Sequence, residues 1–568
     1  VIHAFGVIYT NKIYITMKRI ITILTILCSI TFIQAQNVSV NGAANNPKME
    51  WWKAAKFGMF IHWGIYSVPA GIWNGNTSYA EWFMNETKMS RKDYSAFAKE
   101  FNPIKFNAEE WVKLAKAAGQ KYIVITSKHH DGFAMFKSDA SDYNVYDATP
   151  FKRDVIDEMA KACRKYGMKL GLYYSQAQDW YHPGGAIAHG KDWDETHKGD
   201  MDKYIDEIAV PQVKEILSKY GDIAVLWWDT PANMNPERAK KLDAIAKQYP
   251  NLITNNRLGG GIGGDLETPE QYIPATGYPG RNWEVCMTMN GHWGYNAYDD
   301  NWKTTKELIQ KLVDIVSKGG NFLLNVGPNR YGEIPMICQK ELREIGEWIN
   351  LNGDAIYGTH ASPFPYLPFG RATQKGKTLY LHIFNWDKTI AVPYALKVQK
   401  AYLLADKNTP VAHYVKDGYT YFKLPSYAPD KIASVLAVEC VSSIPSQTVP
   451  SIGADVQADG KVVKELTDND QHTKYEAASS KAVIEINLKK VNNIQCLALI
   501  EPWHPWDNQS QSYLLEALSN NKWIKVTEGK TEGSGITVPF TGIKAQKFRL
   551  TIENSKEKAI LNEVLLYN

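Results

Sequence analysis

Between residues 50 and 357, short apolar runs alternate with amphipathic stretches of helical period, and few folds accommodate that order. Runs at 57–63, 121–127 ("KYIVITS"), 168–175 ("MKLGLYYS"), 223–228, 252–256 and 322–326 are short and apolar, and they read as strands. Between the second and third strands and their neighbours, 109–118 sets Trp111, Leu114 and Ala115 at helical spacing before Gly119, and 155–166 is helical up to Gly167. Further helices are predicted at 204–220, from Pro236 to 248, near 304–317 and near 335–350. Repeated βα units over roughly 300 residues point to a parallel sheet, either closed as a (β/α)8-like TIM barrel or open and doubly wound.

The polar residues favour the barrel. His62 and Trp63 end the first strand, and His129 and His130 follow the second. Tyr174 ends the third, Asp229 the fourth and Arg257 the fifth. In a barrel these C-terminal strand ends share one face, where such enzymes carry their sites. A doubly wound sheet would show a glycine-rich phosphate loop after its first strand. The glycines at 259–264 come late, no helical pattern follows them, and they read as a mobile loop.

After residue 358 the helical period stops. Short strands are predicted at 378–386, 400–404, 419–424 and 432–438, and again at 482–488, 496–500, 513–517 and 547–552. The Ser/Pro-containing stretch 441–450 separates the two groups. The expected layout is therefore an α/β chain, with a barrel at 37–357, a β-sandwich at 358–440, a linker at 441–450 and a second β-sandwich at 451–568. Upstream, Met17-Lys18-Arg19 followed by the apolar stretch 20–33 and Gln34-Ala35-Gln36 reads as a signal peptide within residues 1–36, with Met17 as the start. It predicts export, to the periplasm or beyond. No other segment approaches membrane-spanning length.

Formal charge is +4, from 64 basic and 60 acidic residues, a balance that argues against nucleic acid or an acidic membrane as partner. The chain holds 18 Trp and 32 Tyr, rings that pack cores and also stack on the C–H faces of sugars, which raises the case for a carbohydrate ligand. Apart from Cys28, the cysteines (163, 286, 338, 440 and 496) are scattered and odd in number, the pattern of neither a disulfide framework nor a zinc site.

The stretch 224–230, "AVLWWDT", delivers Asp229 at the end of a buried strand between aromatic residues, a setting suited to a nucleophilic carboxylate and also compatible with a cap or an ion pair. Glycoside hydrolysis needs a second carboxylate, and 264–270, "GDLETPE", offers three. Spacing alone does not choose among them. His129 and His130 point to opposite faces if their strand persists, so they do not form a metal site, and no metal is expected in the catalytic pocket. Histidines there would instead hydrogen-bond sugar hydroxyls. Trp63, Trp82, Trp227 and Trp293 are each as readily core residues as ligand contacts.

Together these residues resemble an α-L-fucosidase of glycoside hydrolase family 29. The motifs are "KFGMFIHWG" (56–64), "EWF" (81–83), "TSKHHDGFAMF" (126–136), "GLYYS" (171–175), "LWWDT" (226–230), "NNR" (255–257), "WEVCMTMNGHWGYN" (283–296), "SKGGNFLLNVGP" (317–328) and "NGDAIYGT" (352–359). The resemblance implies an exo-acting, retaining enzyme that releases terminal L-fucose from fucosylated oligosaccharides or glycoconjugates through a covalent fucosyl-enzyme on Asp229. It implies that His62, His129 and His130 grip fucose hydroxyls, that Glu81, Trp82, Tyr174, Trp227 and Arg257 line the pocket, and that Trp293 meets the C5-methyl side. "TPE" aligns Glu270 with the acid/base, with Glu267 in reserve and Glu284 third. A fucose-binding lectin on an inactive barrel is the alternative, and a barrel glycosidase for another sugar such as galactose is a third reading. The C-terminal part resembles a discoidin-like (coagulation factor 5/8 type C) carbohydrate-binding module through "LTDND" (466–470), "AQKFRLTI" (545–552) and "LNEVLLY" (561–567). That likeness implies a structural Ca²⁺ near Asp468 and Asp470, and Trp503, His504 and Trp506 as a sugar-stacking surface.

Overall fold

The computed structural model describes residues 46–188, 192–502, 510–531 and 533–568. The signal-peptide segment and Trp503, His504 and Trp506 lie outside the described residues. Seven parallel strands form one sheet: β1 (Phe57–Ile61), β2 (Tyr122–Lys128), β3 (Lys169–Tyr174), β4 (Val225–Trp228), β5 (Ile253–Thr254), β6 (Glu284–Thr288) and β7 (Asn321–Val326). Their order is β5-β4-β3-β2-β1-β7-β6, consistent with a TIM-like barrel. β6 has no counterpart among the strands read from sequence, because Glu284 interrupts its apolar run.

The two edges of this sheet are joined by residues 265–271. Isolated parallel bridges pair Asn255 with Leu266 on one side, and Glu267 with Trp283 and Glu270 with Cys286 on the other. Asp265 N donates to Thr254 O at 2.7 Å, and Gln271 N to Cys286 O at 3.0 Å. An irregular segment therefore occupies the eighth strand position. The glycine run that precedes it is a tight, packed turn. A Cβ on Gly264, whose φ is +66°, would lie 2.2 Å from the carbonyl oxygen of Asn255.

The strands are buried on both faces, which explains their near-continuous apolar character. Phe60, Tyr122, Val124, Tyr173, Val225, Trp227, Ile253, Leu266, Cys286 and Leu323 fill the interior. Leu170, Leu172, Tyr174 and Trp228 belong to the larger outer cluster with the helices. Those helices include α1 (Ala108–Ala117), α2 (Val155–Tyr166) and α3 (Val210–Ser218), the last preceded by a π-helical turn at Ile205–Ala209 that breaks the single helix expected over 204–220. Their ends follow local chemistry: Asp154 caps α2 by accepting from Asp157 N, and Gly167, at φ +67°, ends it. Trp52 joins the interior cluster, donates from Nε1 to Glu284 Oε2 at 3.3 Å and accepts from Asn321 Nδ2 at 2.8 Å.

Downstream, one five-stranded and one three-stranded antiparallel sheet occupy 370–440, and a seven-stranded and a two-stranded sheet follow. The strands expected at 482–488 and 496–500 are one element, Lys481–Ile500, whose pairing with Gly535–Asn554 shifts register between Asn487 and Asn492 and again between Ile494 and Cys496. The stretch 441–450 is tethered rather than free: Val441 N donates to Lys397 O, Gln447 N to Pro363 O, and Ile444 is buried. No helix among the described residues is long and apolar enough to cross a membrane.

Candidate active site

The C-terminal strand ends converge. His62 directly follows β1, His129 and His130 follow β2, Ser175 and Gln176 follow β3, Asp229 follows β4, and Arg257 lies just past β5. Because β2 ends at Lys128, strand alternation no longer governs the two histidines. Both turn to the same side, with ring centroids 4.2 Å apart. The condition on which they would diverge, a strand persisting through both, is not met.

Asp229 sits at the centre. Tyr173 donates its hydroxyl to Oδ2 at 2.8 Å, and Arg257 Nη1 donates to Oδ1 at 2.9 Å. His130 Nε2 lies 3.6 Å from Oδ2, and the backbone N–H of Asp229 donates to Gln176 Oε1 at 3.0 Å. The same Arg257 Nη1 donates to Glu270 Oε2 at 2.8 Å. One nitrogen thus holds both carboxylates, and the two oxygens it binds lie within ~6 Å of each other. Arg257 is fixed in turn by Thr268, through Nε to Oγ1 and Nη2 to the carbonyl, both at 2.8 Å. Its guanidinium also lies 4.8 Å over the Trp227 ring. Burial disfavours its charge, but Glu270 and Asp229 outweigh that and raise its pKa above the ordinary value.

The three acids of "GDLETPE" have three different fates. Asp265 pairs with Lys48 at 2.8 Å, Glu267 with Arg281 at 2.9 Å, and Glu270 with the arginine it shares with Asp229. Glu267, the reserve candidate, is buried in a separate ion-pair cluster. Glu284 opens β6 at the opposite, N-terminal end of the barrel, bonded to Tyr122 and Trp52. Burial raises its pKa to about 7, a structural effect far from the strand ends that carry Asp229.

Tyr174 is not in the pocket. Strand parity places it outside with the helices, its hydroxyl donating to Gln212 Oε1 at 2.8 Å. Tyr173, one residue earlier, stacks on Trp227 at 5.7 Å and reaches Asp229. His62 Nδ1 lies 2.7 Å from Asn325 Oδ1, and its ring stands 5.0 Å from that of Trp293. Asn325 Nδ2 donates to Trp293 O at 2.8 Å, and Glu81 Oε2 accepts from Gly294 N at 2.8 Å, so both residues hold the Trp293 loop. Burial raises the Glu81 pKa. Trp82 meets His130 edge-on at 5.3 Å. The remaining expected residues, Trp227, His62, His129, His130, Arg257 and Trp293, lie near one another at these strand ends. Tyr173, Gln176, Thr268 and Asn325 had been missed. Of these, Tyr173 and Asn325 carried a signal: parity for the first, a lone amide in an apolar strand for the second.

Burial lowers the His62 pKa to about 4, partly opposed by Asn325 and Asp229. Burial, with His130 and His62 nearby, holds His129 well below the ordinary value. Both rings are therefore neutral near pH 7, and the buried His129 Nδ1 has no hydrogen-bond partner. Backbone strain flanks both carboxylates: Thr230 and Gln271 adopt φ of +45° and +63°.

A sequence profile of the family described as Alpha-L-fucosidase matches residues 27–354, more than half of the chain. The chain belongs to the α-L-fucosidase family. It is a glycoside hydrolase of family 29. It is 34% identical over 334 residues to the plasma α-L-fucosidase of Homo sapiens, covering 55% of this chain and 69% of that one. The crystal structure of the α-L-fucosidase from Vibrio sp. strain EJY3 is 26% identical and superposes with a TM-score of 0.72 over 93% of this chain and 98% of its own. A family 29 α-L-fucosidase from Bacteroides thetaiotaomicron, solved as a trapped covalent intermediate with 2-fluoro-fucosyl fluoride, is 27% identical, with a TM-score of 0.64 over 71% of this chain and 98% of its own.

Proposed function

We propose that this enzyme releases terminal L-fucose from fucosylated glycans with retention, Asp229 acting as nucleophile and Glu270 as acid/base. The observation that carries this reading is the single Arg257 nitrogen shared by the two carboxylates. Retaining pairs stand about 5–5.5 Å apart, whereas inverting pairs need about 6.5–9.5 Å to admit a water. In the first step an Asp229 oxygen bonds to the anomeric carbon, the glycosidic C–O bond breaks, and Glu270 gives its proton to the leaving oxygen. In the second, Glu270 takes a proton from water, the oxygen of that water bonds to the anomeric carbon, and Asp229 departs. The trapped intermediate of the Bacteroides relative supports the covalent step. Neutral His62 and His129 can donate to or accept from sugar hydroxyls, and the unpartnered His129 Nδ1 is a ready contact.

The test uses an activated aryl α-L-fucoside with azide. Asp229→Gly is expected to be inactive alone and to form the β-fucosyl azide, while Glu270→Ala is expected to form the α-azide. The opposite products, or Asp229→Gly activity above ~1% of wild type, would overturn the assignment. Fucose binding without turnover by the wild type would return the reading to the lectin.

We read the C-terminal antiparallel sheets as the discoidin-like carbohydrate-binding module, with a bound cation. Asp470 Oδ1 is engaged by Arg281, so Asp468 and Glu563 are the better carboxylate pair. Glu563 is buried, and neither of its oxygens has a well-aligned hydrogen-bond donor. Burial and the adjacent Asp468 push its pKa up to about 8. A Ca²⁺ ligated by both carboxylates would remove that conflict.

A further inference from the structure

The acid/base segment 265–271 is held from outside the barrel. Glu267 is buried, and Arg281 Nη1 donates to its Oε1 at 2.9 Å. Arg281 Nη2 donates at 2.9 Å to Asp470 Oδ1, a residue of the C-terminal module. His472 Nε2 lies 3.1 Å from Glu267 Oε2, off the axis of an ideal hydrogen bond. Between them, Gln471 Nε2 donates to Thr276 Oγ1 and to Gly277 O, both at 3.0 Å. Ala275 packs on Ala498, Ile500 and Leu565 of the same module.

Only Thr268 and Pro269 separate Glu267 from Glu270. Thr268 binds Arg257 through two atoms, Pro269 has a fixed φ, and its carbonyl accepts from Cys286 N at 3.2 Å. A displacement of Glu267 is therefore passed to Thr268 and Arg257, and so to the carboxylate pair. We infer that Asp470 and His472 are positioning residues for the acid/base: through Arg281 and Glu267 the C-terminal module fixes the segment that aims Glu270 at the leaving oxygen. This rests on Glu270 being the acid/base.

Proton donation matters most when the leaving group is poor, and that gives a readout that loss of stability would not move. Asp470→Asn and His472→Gln would be made in the full chain, with Glu270→Ala alongside. Each would be assayed on a dinitrophenyl α-L-fucoside and on a fucosylated lactose, at a temperature where melting curves show every variant folded. The two module variants are expected to lose roughly 5- to 20-fold in kcat/KM, which reads the first step alone, on the oligosaccharide and less than twofold in kcat/KM on the dinitrophenyl substrate. Equal losses on both substrates, or none on either, would overturn the inference. Glu270→Ala is expected to show the same bias more steeply. If it shows no bias, the acid/base assignment itself falls. If it shows the bias and the module variants do not, only the positioning role falls.

Discussion

Of two adjacent tyrosines on one strand, only the first should matter for catalysis. Tyr173→Phe removes a hydroxyl 2.8 Å from Asp229 Oδ2 and keeps the ring that stacks on Trp227. A hydrogen bond to a charged group contributes about 1.5–3 kcal/mol. As the proposed nucleophile, Asp229 regains its full charge when it leaves the sugar, so the lost donor should be felt most in hydrolysis of the covalent intermediate. At about 1.4 kcal/mol per decade, kcat should fall roughly 10- to 150-fold. Tyr174→Phe removes a hydroxyl 2.8 Å from Gln212 Oε1 on the helix side. It should leave kcat within about twofold and lower stability by about 1–3 kcal/mol, because the buried Gln212 loses a donor. The assay is stopped-flow release of the aryl group from an activated fucoside, where a burst in Tyr173→Phe marks slowed hydrolysis of the intermediate. A Tyr173→Phe enzyme within twofold of wild type, or a Tyr174→Phe enzyme equally impaired, would refute the parity argument.

Three further outcomes follow from the geometry. Thr230→Gly should relieve the left-handed backbone at φ +45° and raise stability by up to ~1 kcal/mol, yet lower kcat by loosening Asp229, which urea unfolding and steady-state kinetics would read. Burial lowers the His382 pKa to about 3, so below pH 6.5 the unfolded chain binds a proton that the folded chain refuses. Stability from this group is complete above pH 6.5 and falls about 1.4 kcal/mol per pH unit toward pH 3. His382→Gln should therefore close its stability gap to wild type by about 2 kcal/mol between pH 6.5 and 5, and a constant gap in urea titrations would contradict this. A Ca²⁺ chelator should lower the melting temperature of the wild type, with recovery on adding Ca²⁺, and should have no effect on Glu563→Gln; an unchanged wild-type curve would dismiss the cation.

Period and strand ends made much of the barrel legible. The α2 range was read to the residue, because Asp154 and Gly167 mark its ends and its buried face repeats at helical spacing. β6 escaped because its first residue is a buried glutamate, held by partners that no local pattern reveals. Two runs in the C-terminal module read as separate strands because the irregular pairing near Asn487–Asn492 places polar residues mid-element. In the site, the histidines and Asp229 were legible as polar residues ending apolar strands. Tyr174 was misplaced although "KLGLYY" sets Leu170, Leu172 and Tyr174 on one parity and Gly171 and Tyr173 on the other.

The choice between Glu267 and Glu270 has the same physical form. Residues three apart on extended backbone point to opposite faces, so only one of the two can enter the pocket. Leu266 belongs to the interior cluster, and its parity carries Thr268 and Glu270 inward with it. Arg257 meets both, while Glu267 turns outward to Arg281. The sequence "LETPE" thus contains the answer once the segment is known to run as a strand. Its flanks conceal that: glycines precede it, Pro269 interrupts it, and Gln271 leaves it with a left-handed φ. Backbone hydrogen bonds tie this segment to β6, among them Cys286 N to Pro269 O and Gln271 N to Cys286 O, and Asp265 N to Thr254 O ties it to β5, while the side chains of Arg257, Arg281 and Lys48 add ion pairs to Glu270, Glu267 and Asp265. The ion pairs that help close the barrel are thus also those that hold the segment of Glu270, the proposed acid/base.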